Sequence, residues 1–544
     1  MASQDWQALA ENKLLDRSSR IPLDWRLPKA VTGKVDPTSS ASAFDLLEQT
    51  TLLTVAERRI TEKYHATTLI NMMATGAISS VEVTTAFCKR AAIAQQLTNC
   101  LTEIFFDRAL ARAKQCDEFL AREGKPIGPF HGMPISLKDT LMVKGEAATL
   151  GYRSFLALPK ADSNSVLVDM LLDGGAVLYC KTNVPQTLMV CDGLNHVFGQ
   201  TMNPHKLSLT PGGSSSGEGA LVGFRGSILG VGNDIGGSVR VPSLCCGAYA
   251  FKPSVNRLPW AGQQKQLRKG WPGVMCTLGP HAQSAEDLTY FCKSIIRARP
   301  WLRDSTALAS PWREVPRKAK LNIAFFPGDP AFPIFPPVER ALKTAAERLA
   351  EAGHNVKVVS NPLPLAKGWE ILSNSMRLET KSMPRKELEI GEEELIPAVI
   401  DMLARSPLRR GRVTIDDVWE FNSEREDYRA AWHEIWRHED IDVLLCPGSR
   451  STAVPHGEFG PPLYTAIWNL LDFPATVIPF LKVDKEIDIR EGAPADYDPE
   501  TAHGAPCSIQ LVGWTGQDEE ILMATEVIAE VLKHAETAPK AKIA

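Results

Sequence analysis

The chain has 544 residues, 44% of them hydrophobic and 23% charged, with a formal net charge of −4. That length holds roughly three or four average domains, or one large α/β domain with insertions. The charge balance excludes a strongly basic nucleic-acid surface, and the longest apolar runs fall short of the roughly 20 residues a spanning helix needs.

Residues 1–65 read as a polar helical arm, with Trp6, Leu9, Leu14 and Leu15 in one segment and Leu46, Leu47, Leu52 and Leu53 in another. The arm carries acids early and lacks the apolar run of a secretory signal. The body is expected over 66–544. Ser79 followed by Glu82 is a capping-box pattern, predicting a helix through "VEVTTAFCKRAAIAQQL". A second helix is predicted in "FDRALARAKQCDEFLAREG", with Gly124 as its stop. "HGMPISLKDT" then sets Lys138 in an apolar, strand-like run after a Gly-Met-Pro turn. "SVLVDMLLDGG" reads as helix and "AVLYCKT" as strand.

Further along, "NIAFFP", "VERALKTAAERLAEAG" and "NVKVVS" read as strand, helix and strand. "HEIWRH" places His433 and His438 five positions apart, whereas two metal-binding histidines on one helical face are four apart, so both are expected on the surface. "IDVLLCP", "ATVIPFLKV" and "CSIQLVG" read as strands, "KEIDIREGAPADYDPETAHGAP" as an exposed loop, and "DEEILMATEVIAEVLK" as a closing helix. This alternation predicts an α/β fold with helices covering a largely buried sheet. The 11 cysteines are an odd number with no C-x-x-C pair, and Cys245 and Cys246 are neighbours. Free thiols in a reducing, cytoplasmic compartment are expected, with no metal and no cofactor.

"TPGGSSSGEG", residues 210–219, sets three serines in a glycine-rich bend. It lacks the Lys-Ser or Lys-Thr of a phosphate loop. Gly230, Gly232 and Gly236 nearly copy a dinucleotide fingerprint but have one residue too many before the third glycine. Gly213 to Gly217 matches G-x-S-x-G, with Ser215 at the nucleophile position. That elbow needs a buried strand before it, and "NPHKLSLTPG" is a poor one. The following "SILGVGNDIGGSVRVPS" is an apolar run ending in a Gly-Gly-Ser turn. Such a turn lets several N–H groups point into one small space, as an oxyanion hole requires. A serine needs a base; no histidine lies in this stretch, and Lys138 upstream can serve if burial and neighbours keep it neutral.

Taken together, "GMPISLKDT", "TNVPQ", "FGQTMNP", "PGGSSSGEGA", "GNDIGGSVRVPS" and "CGAYAFKPS" resemble the amidase signature family in order and spacing, from about Phe130 to Pro253. The likeness is greatest to its acetamidase, general amidase and fatty-acid amide hydrolase branch. The resemblance implies one large α/β domain with a twisted mixed β-sheet covered by helices on both sides. It also implies amide hydrolysis by a Ser–Ser–Lys triad through an acyl-enzyme. Carried over by motif, Ser238 is the nucleophile, Ser214 the bridging serine that follows a cis peptide, and Lys138 the base. N–H groups around Ile235, Gly236, Gly237 and Ser238 would hold the oxyanion. Leu188, Met189 and Asn233 are expected at the acyl pocket, and Asn233 stands where the family often has threonine. Asp234 and Arg240 are expected as a buried pair bracing the Gly-Gly-Ser turn, with Ser215 hydrogen-bonding locally.

Duller readings exist: Lys138 paired with Asp139, and Ser214 and Ser238 as turn residues capping helices. Two rival functions stand beside amide hydrolysis. One is a glutaminase-type subunit of a tRNA-dependent amidotransferase, and the other a catalytically silent binding module on the same scaffold. The expected partner is a small amide, with no nucleic acid and no membrane span. Homodimers are common among relatives.

Overall fold

The computed structural model describes residues 5–264, 268–360, 362–380, 382–406, 411–489 and 492–537. Residues 1–4 of the arm, 490–491 of the long loop and 538–544 of the body lie outside the described residues.

The chain supplies thirteen strands: β1 Leu101–Ile104, β2 Pro134–Lys138, β3 Val177–Thr182, β4 Leu194–Asn195, β5 Gly199–Gln200, β6 Leu229–Asp234, β7 Tyr249–Lys252, β8 Thr277–Ala282, β9 Asn322–Phe325, β10 Asn355–Val358, β11 Val443–Cys446, β12 Ala475–Lys482 and β13 Pro506–Val512. Eleven form one sheet in the order β1-β3-β2-β6-β8-β7-β12-β13-β11-β9-β10, while β4 and β5 make a small hairpin. The sheet is mixed. β3, β2 and β6 run parallel, as do β11, β9 and β10, and antiparallel pairs join these two groups. Every residue of β2, β3, β6, β8 and β13 is buried. Successive side chains in a strand point to opposite faces, so helices cover both sides of this sheet. The fold is a single α/β domain.

Local signals explain where many elements begin and end. Ser79 Oγ accepts from Glu82 N at 3.1 Å, and Glu82 Oε2 accepts from Ser79 N at 2.9 Å, opening the helix Ser80–Thr98. The helix Phe106–Glu123 ends at Gly124, whose φ of +66 suits glycine. The trio of residues 322–358 is a parallel strand–helix–strand unit around the helix Pro336–Glu351. Arm residues Trp25, Leu46 and Leu47 share a hydrophobic cluster with Ile93 and Leu97 of the helix Ser80–Thr98. Arg17 reaches the Leu101 carbonyl at 2.6 Å.

Some elements differ from expectation. β8 was not anticipated, because "TLGPHA" carries a glycine and a proline that disfavour strands. β6 pairs along the whole of β8, with Val231 opposite Pro280, while β7 pairs only with His281 and Ala282. The long loop is not wholly exposed: Asp488 within it is buried and pairs with Arg340 at 2.6 Å, and Pro499–Ala502 is helical. His433 and His438 are exposed on the helix Ile415–His438, where His433 packs on Trp514. Among the described residues no helix is long and apolar enough to cross a membrane.

Candidate active site

Because β2 and β6 are parallel neighbours, with Leu137 opposite Val231, their carboxyl ends leave the sheet on the same side. That brings Lys138 beside Asn233 and Asp234, at the kind of sheet edge where open α/β folds bind ligands. The serine-rich bend arrives from above. At Gly212 φ is +74, and a Cβ on Gly213 would come within 2.6 Å of the Asp192 and Val190 carbonyl oxygens, so both positions require glycine. The peptide between Gly213 and Ser214 is cis.

Lys138 Nζ lies 2.8 Å from Ser214 Oγ and 2.6 Å from Asn233 Oδ1, and Asn233 Nδ2 donates to Thr140 Oγ1 at 3.0 Å. Asp139 does not pair with Lys138. It faces Lys181 at 3.2 Å and accepts from Thr102, Thr149 and Leu150 N. Lys138 is fully buried, and burial lowers its ammonium to about 7. Three groups nearby could oppose that: Cys276, Asp234 and Glu218. The Cys276 thiol is itself pushed up to about 12 by burial and Glu218 up to about 8. Both are neutral at pH 7, and Asp234 is already committed to Arg240 at 3.0 Å. Little therefore remains to hold a proton on the lysine.

Two hydroxyls meet the Glu218 carboxyl. Ser227 Oγ donates to the Leu229 carbonyl at 2.7 Å. The single proton of Ser136 faces both Ser227 Oγ at 2.9 Å and Glu218 Oε2 at 2.7 Å. Ser136 donates to Glu218 Oε2 and Thr182 Oγ1 donates to Glu218 Oε1 at 2.9 Å; both favour the carboxylate, and burial outweighs them. Because burial pushes Glu218 up to about 8, an E218Q variant keeps its charge at pH 7, and its pH–rate profile is expected to match the parent within about threefold. If Glu218 were ionised, E218Q would instead move the acid limb to lower pH, because an anion beside Lys138 would be lost. Measuring kcat/KM against pH for both proteins decides this.

Ser238 begins where β6 ends in the Gly-Gly-Ser turn. Gly237 has φ +133, and a Cβ there would collide with Thr465 Oγ1, which donates to the Gly236 carbonyl at 2.7 Å. Asp234 braces the turn from below, accepting from Gly237 N at 2.8 Å, Val239 N at 3.1 Å and Arg240 Nε at 3.1 Å. Arg240 also donates to Gln510 and Asn469. Burial would raise the Asp234 carboxyl, but the Arg240 guanidinium outweighs it and holds the group well below the usual carboxylate range.

Three expectations are corrected by this geometry. Gly237 N–H is taken by Asp234, leaving Ile235, Gly236 and Ser238 as the turn's N–H groups with no acceptor among the described residues. Asn233 does not line the cavity at Ser238 but holds Lys138. Ser215 Oγ, expected to bond locally, is buried without a partner, because it points at Gly232, where the absent Cβ leaves room. Among the described hydrogen bonds none joins Ser214 Oγ to Ser238 Oγ, and the two segments are tied by Ser215 N donating to the Ser238 carbonyl at 3.1 Å.

No strand precedes the bend, where only an isolated bridge from Leu209 to Pro455 forms, so the elbow context for Ser215 is absent. Neither Ser214 nor Ser238 caps a helix: Ser215 and Val239 occupy those positions. A half-buried Ser238 opens into a cavity of about 40 Å3 whose other walls include Leu188, Met189, Trp369, Leu372, Met376 and Met402. The last four were missed from sequence. Trp369, Leu372 and Met376 follow helical spacing on Leu365–Met376, a pattern that by itself says core. His281 was also missed. Fully buried, it is lowered to about 3, with Nδ1 2.8 Å from Ser243 Oγ and Nε2 beside Gly232.

The family model of the amidases matches residues 82–522. A protein named "Amidase" from Gibberella moniliformis is 53% identical over 534 residues, covering 98% of this chain and all of that one. An "Acetamidase" from Emericella nidulans is 37% identical over 554 residues, covering 97% of this chain and 98% of its own. Among solved structures, a "Fatty acid amide hydrolase" superposes with TM-score 0.91 at 33% identity, covering 97% of this chain and 95% of that one. On this evidence the chain belongs to the amidase signature family and is an enzyme that hydrolyses amides.

Proposed function

We propose that the protein hydrolyses small primary carboxamides to the acid and ammonia through a Ser238 acyl-enzyme, with Ser214 and Lys138 as its proton relay. The observation that carries this is the buried Lys138, lowered by burial to about 7 and 2.8 Å from Ser214 Oγ, beside a cavity that Ser238 opens into. Neutral Lys138 takes the proton of Ser214 as Ser214 takes that of Ser238, and Ser238 Oγ attacks the amide carbonyl. The free N–H groups of Ile235, Gly236 and Ser238 meet the oxygen as it gains charge. The relay then returns the proton to the departing nitrogen, which leaves as ammonia rather than as an amide anion. Water repeats the sequence and releases the acid. Rotation of the Ser238 hydroxyl towards Ser214 completes the relay when substrate binds, since catalytic hydrogen bonds often tighten only in the complex.

The cavity is small and apolar, which supports short acyl groups, as do the relatives named acetamidase. Full-length matches to amidases and acetamidases also favour free amide hydrolysis over an amidotransferase subunit. The proposal keeps residues 1–65 as an arm on the body of 66–544. Its partner is the small amide, with a second copy of the chain as the one macromolecular partner and no nucleic acid. Eleven cysteines, none in a disulfide, support a reducing, cytoplasmic setting.

Ammonia release from acetamide, propionamide and benzamide tests the reaction. Its pH dependence tests the base. Protonated Lys138 is inactive, so kcat/KM is expected to rise with pH, reach half its plateau near about 7, and fall about tenfold per pH unit well below that. A plateau extending down to about pH 5 would contradict a lysine base.

A further inference from the structure

We infer that Trp369 sets the acyl-length limit of this enzyme, as the partition between the cavity at Ser238 and a second, much larger cavity behind it. This rests on the amide-hydrolase reading of Ser238 and adds which acyl chains that site accepts. The larger cavity measures about 1000 Å3 and is walled by Phe332, Phe335, Phe459, Leu463 and Tyr464, among others. Its lining and that of the 40 Å3 cavity share one residue among those described, Trp369.

The helix that carries this side chain is fixed. A Cβ on Gly368 would come within 2.8 Å of Ile467 and 3.1 Å of Tyr428, so the backbone is pressed against two neighbouring helices. Leu365 N is held by Asp329 Oδ2 at 2.9 Å. The indole itself is buried, and its Nε1–H has no hydrogen-bond partner. Shape alone holds the ring, so shortening the side chain opens the wall without breaking a polar contact.

Chemistry decides which part of the substrate meets this wall. A primary amide loses only ammonia, so the sole extended group that occupies an apolar pocket is the acyl chain. Beyond Trp369, the cations that line the larger cavity are paired: Arg405 with Asp401 at 2.8 Å, Arg450 with Asp496 at 2.7 Å, and Lys367 with Glu424 at 2.8 Å. A neutral aliphatic or aryl chain therefore meets no unpaired cation as it extends there between aromatic walls.

The test compares wild type, W369A and W369L with two fluorophosphonates that carry either methyl or octyl on phosphorus. Ser238 Oγ attacks phosphorus, fluoride leaves, and the rate reads chain length without needing amide turnover. Wild type is expected to react faster with methyl. In W369A the octyl-to-methyl rate ratio is expected to rise about a hundredfold, at about fourfold per newly accommodated methylene. W369L, which keeps an apolar filler, is expected to fall between the two. Unchanged ratios in both variants, or a wild type that takes octyl as readily as methyl, would overturn the assignment. A parallel assay with acetamide and octanamide separates the two claims. Turnover of amides with unchanged ratios removes the gate and keeps the reaction, while shifted ratios without turnover keep the gate and remove the reaction.

Discussion

Replacing Lys138 with methionine is expected to lower kcat on acetamide by on the order of 10^4-fold while leaving the protein folded, in line with the loss of one member of a catalytic unit. Methionine keeps most of the buried volume and adds no polar group. Removing the lysine leaves no stranded countercharge behind: Asp139 is paired with Lys181, and Asp234 with Arg240. The exposed cost is small, namely one unpaired acceptor on Asn233 Oδ1 and one on Ser214. S238A is expected to fall at least as far, and the double variant no further than S238A, because the two act in one relay. Steady-state kinetics alongside a thermal melt reads this. A K138M enzyme within tenfold of wild type would remove the lysine from the mechanism.

The second large effect concerns stability. D234A takes the carboxylate from Arg240, a guanidinium with no solvent exposure, and from the N–H groups of Gly237 and Val239. Breaking a buried ion pair from one side costs about 3–5 kcal/mol, because the remaining charge stays buried and uncompensated. Denaturant unfolding is expected to show a loss of that size, and the variant that survives is expected to have a lower kcat, since the turn carrying Ser238 loses its brace. Loss of under about 1 kcal/mol would mean that Gln510 and Asn469 suffice to solvate Arg240.

The parts of the site legible in sequence are those whose chemistry is local. A glycine pair before a serine, an apolar run ending in lysine and a capping box each fix their own geometry within a few residues, and Lys138, Ser214 and Ser238 do sit at the end of adjacent β2 and β6 or on the bend above them. The pocket wall was not legible, because Trp369, Leu372, Met376 and Met402 come from helices far along the chain and show only the spacing of a buried face. Asn233 was misplaced for a related reason. The resemblance put it at the acyl pocket, but alternation along β6 turns it towards Lys138 instead. Likewise the glycine at 232 is needed not for a nucleotide but for Ser215 Oγ and His281 Nε2, which crowd the space a Cβ would fill.

The identity of the reactive serine decides the mechanism. Purified protein treated with a fluorophosphonate and mapped by mass spectrometry is expected to carry the label on Ser238, with labelling lost in S238A and slowed in K138M. Label on Ser215, or none on an intact, folded protein, would contradict it.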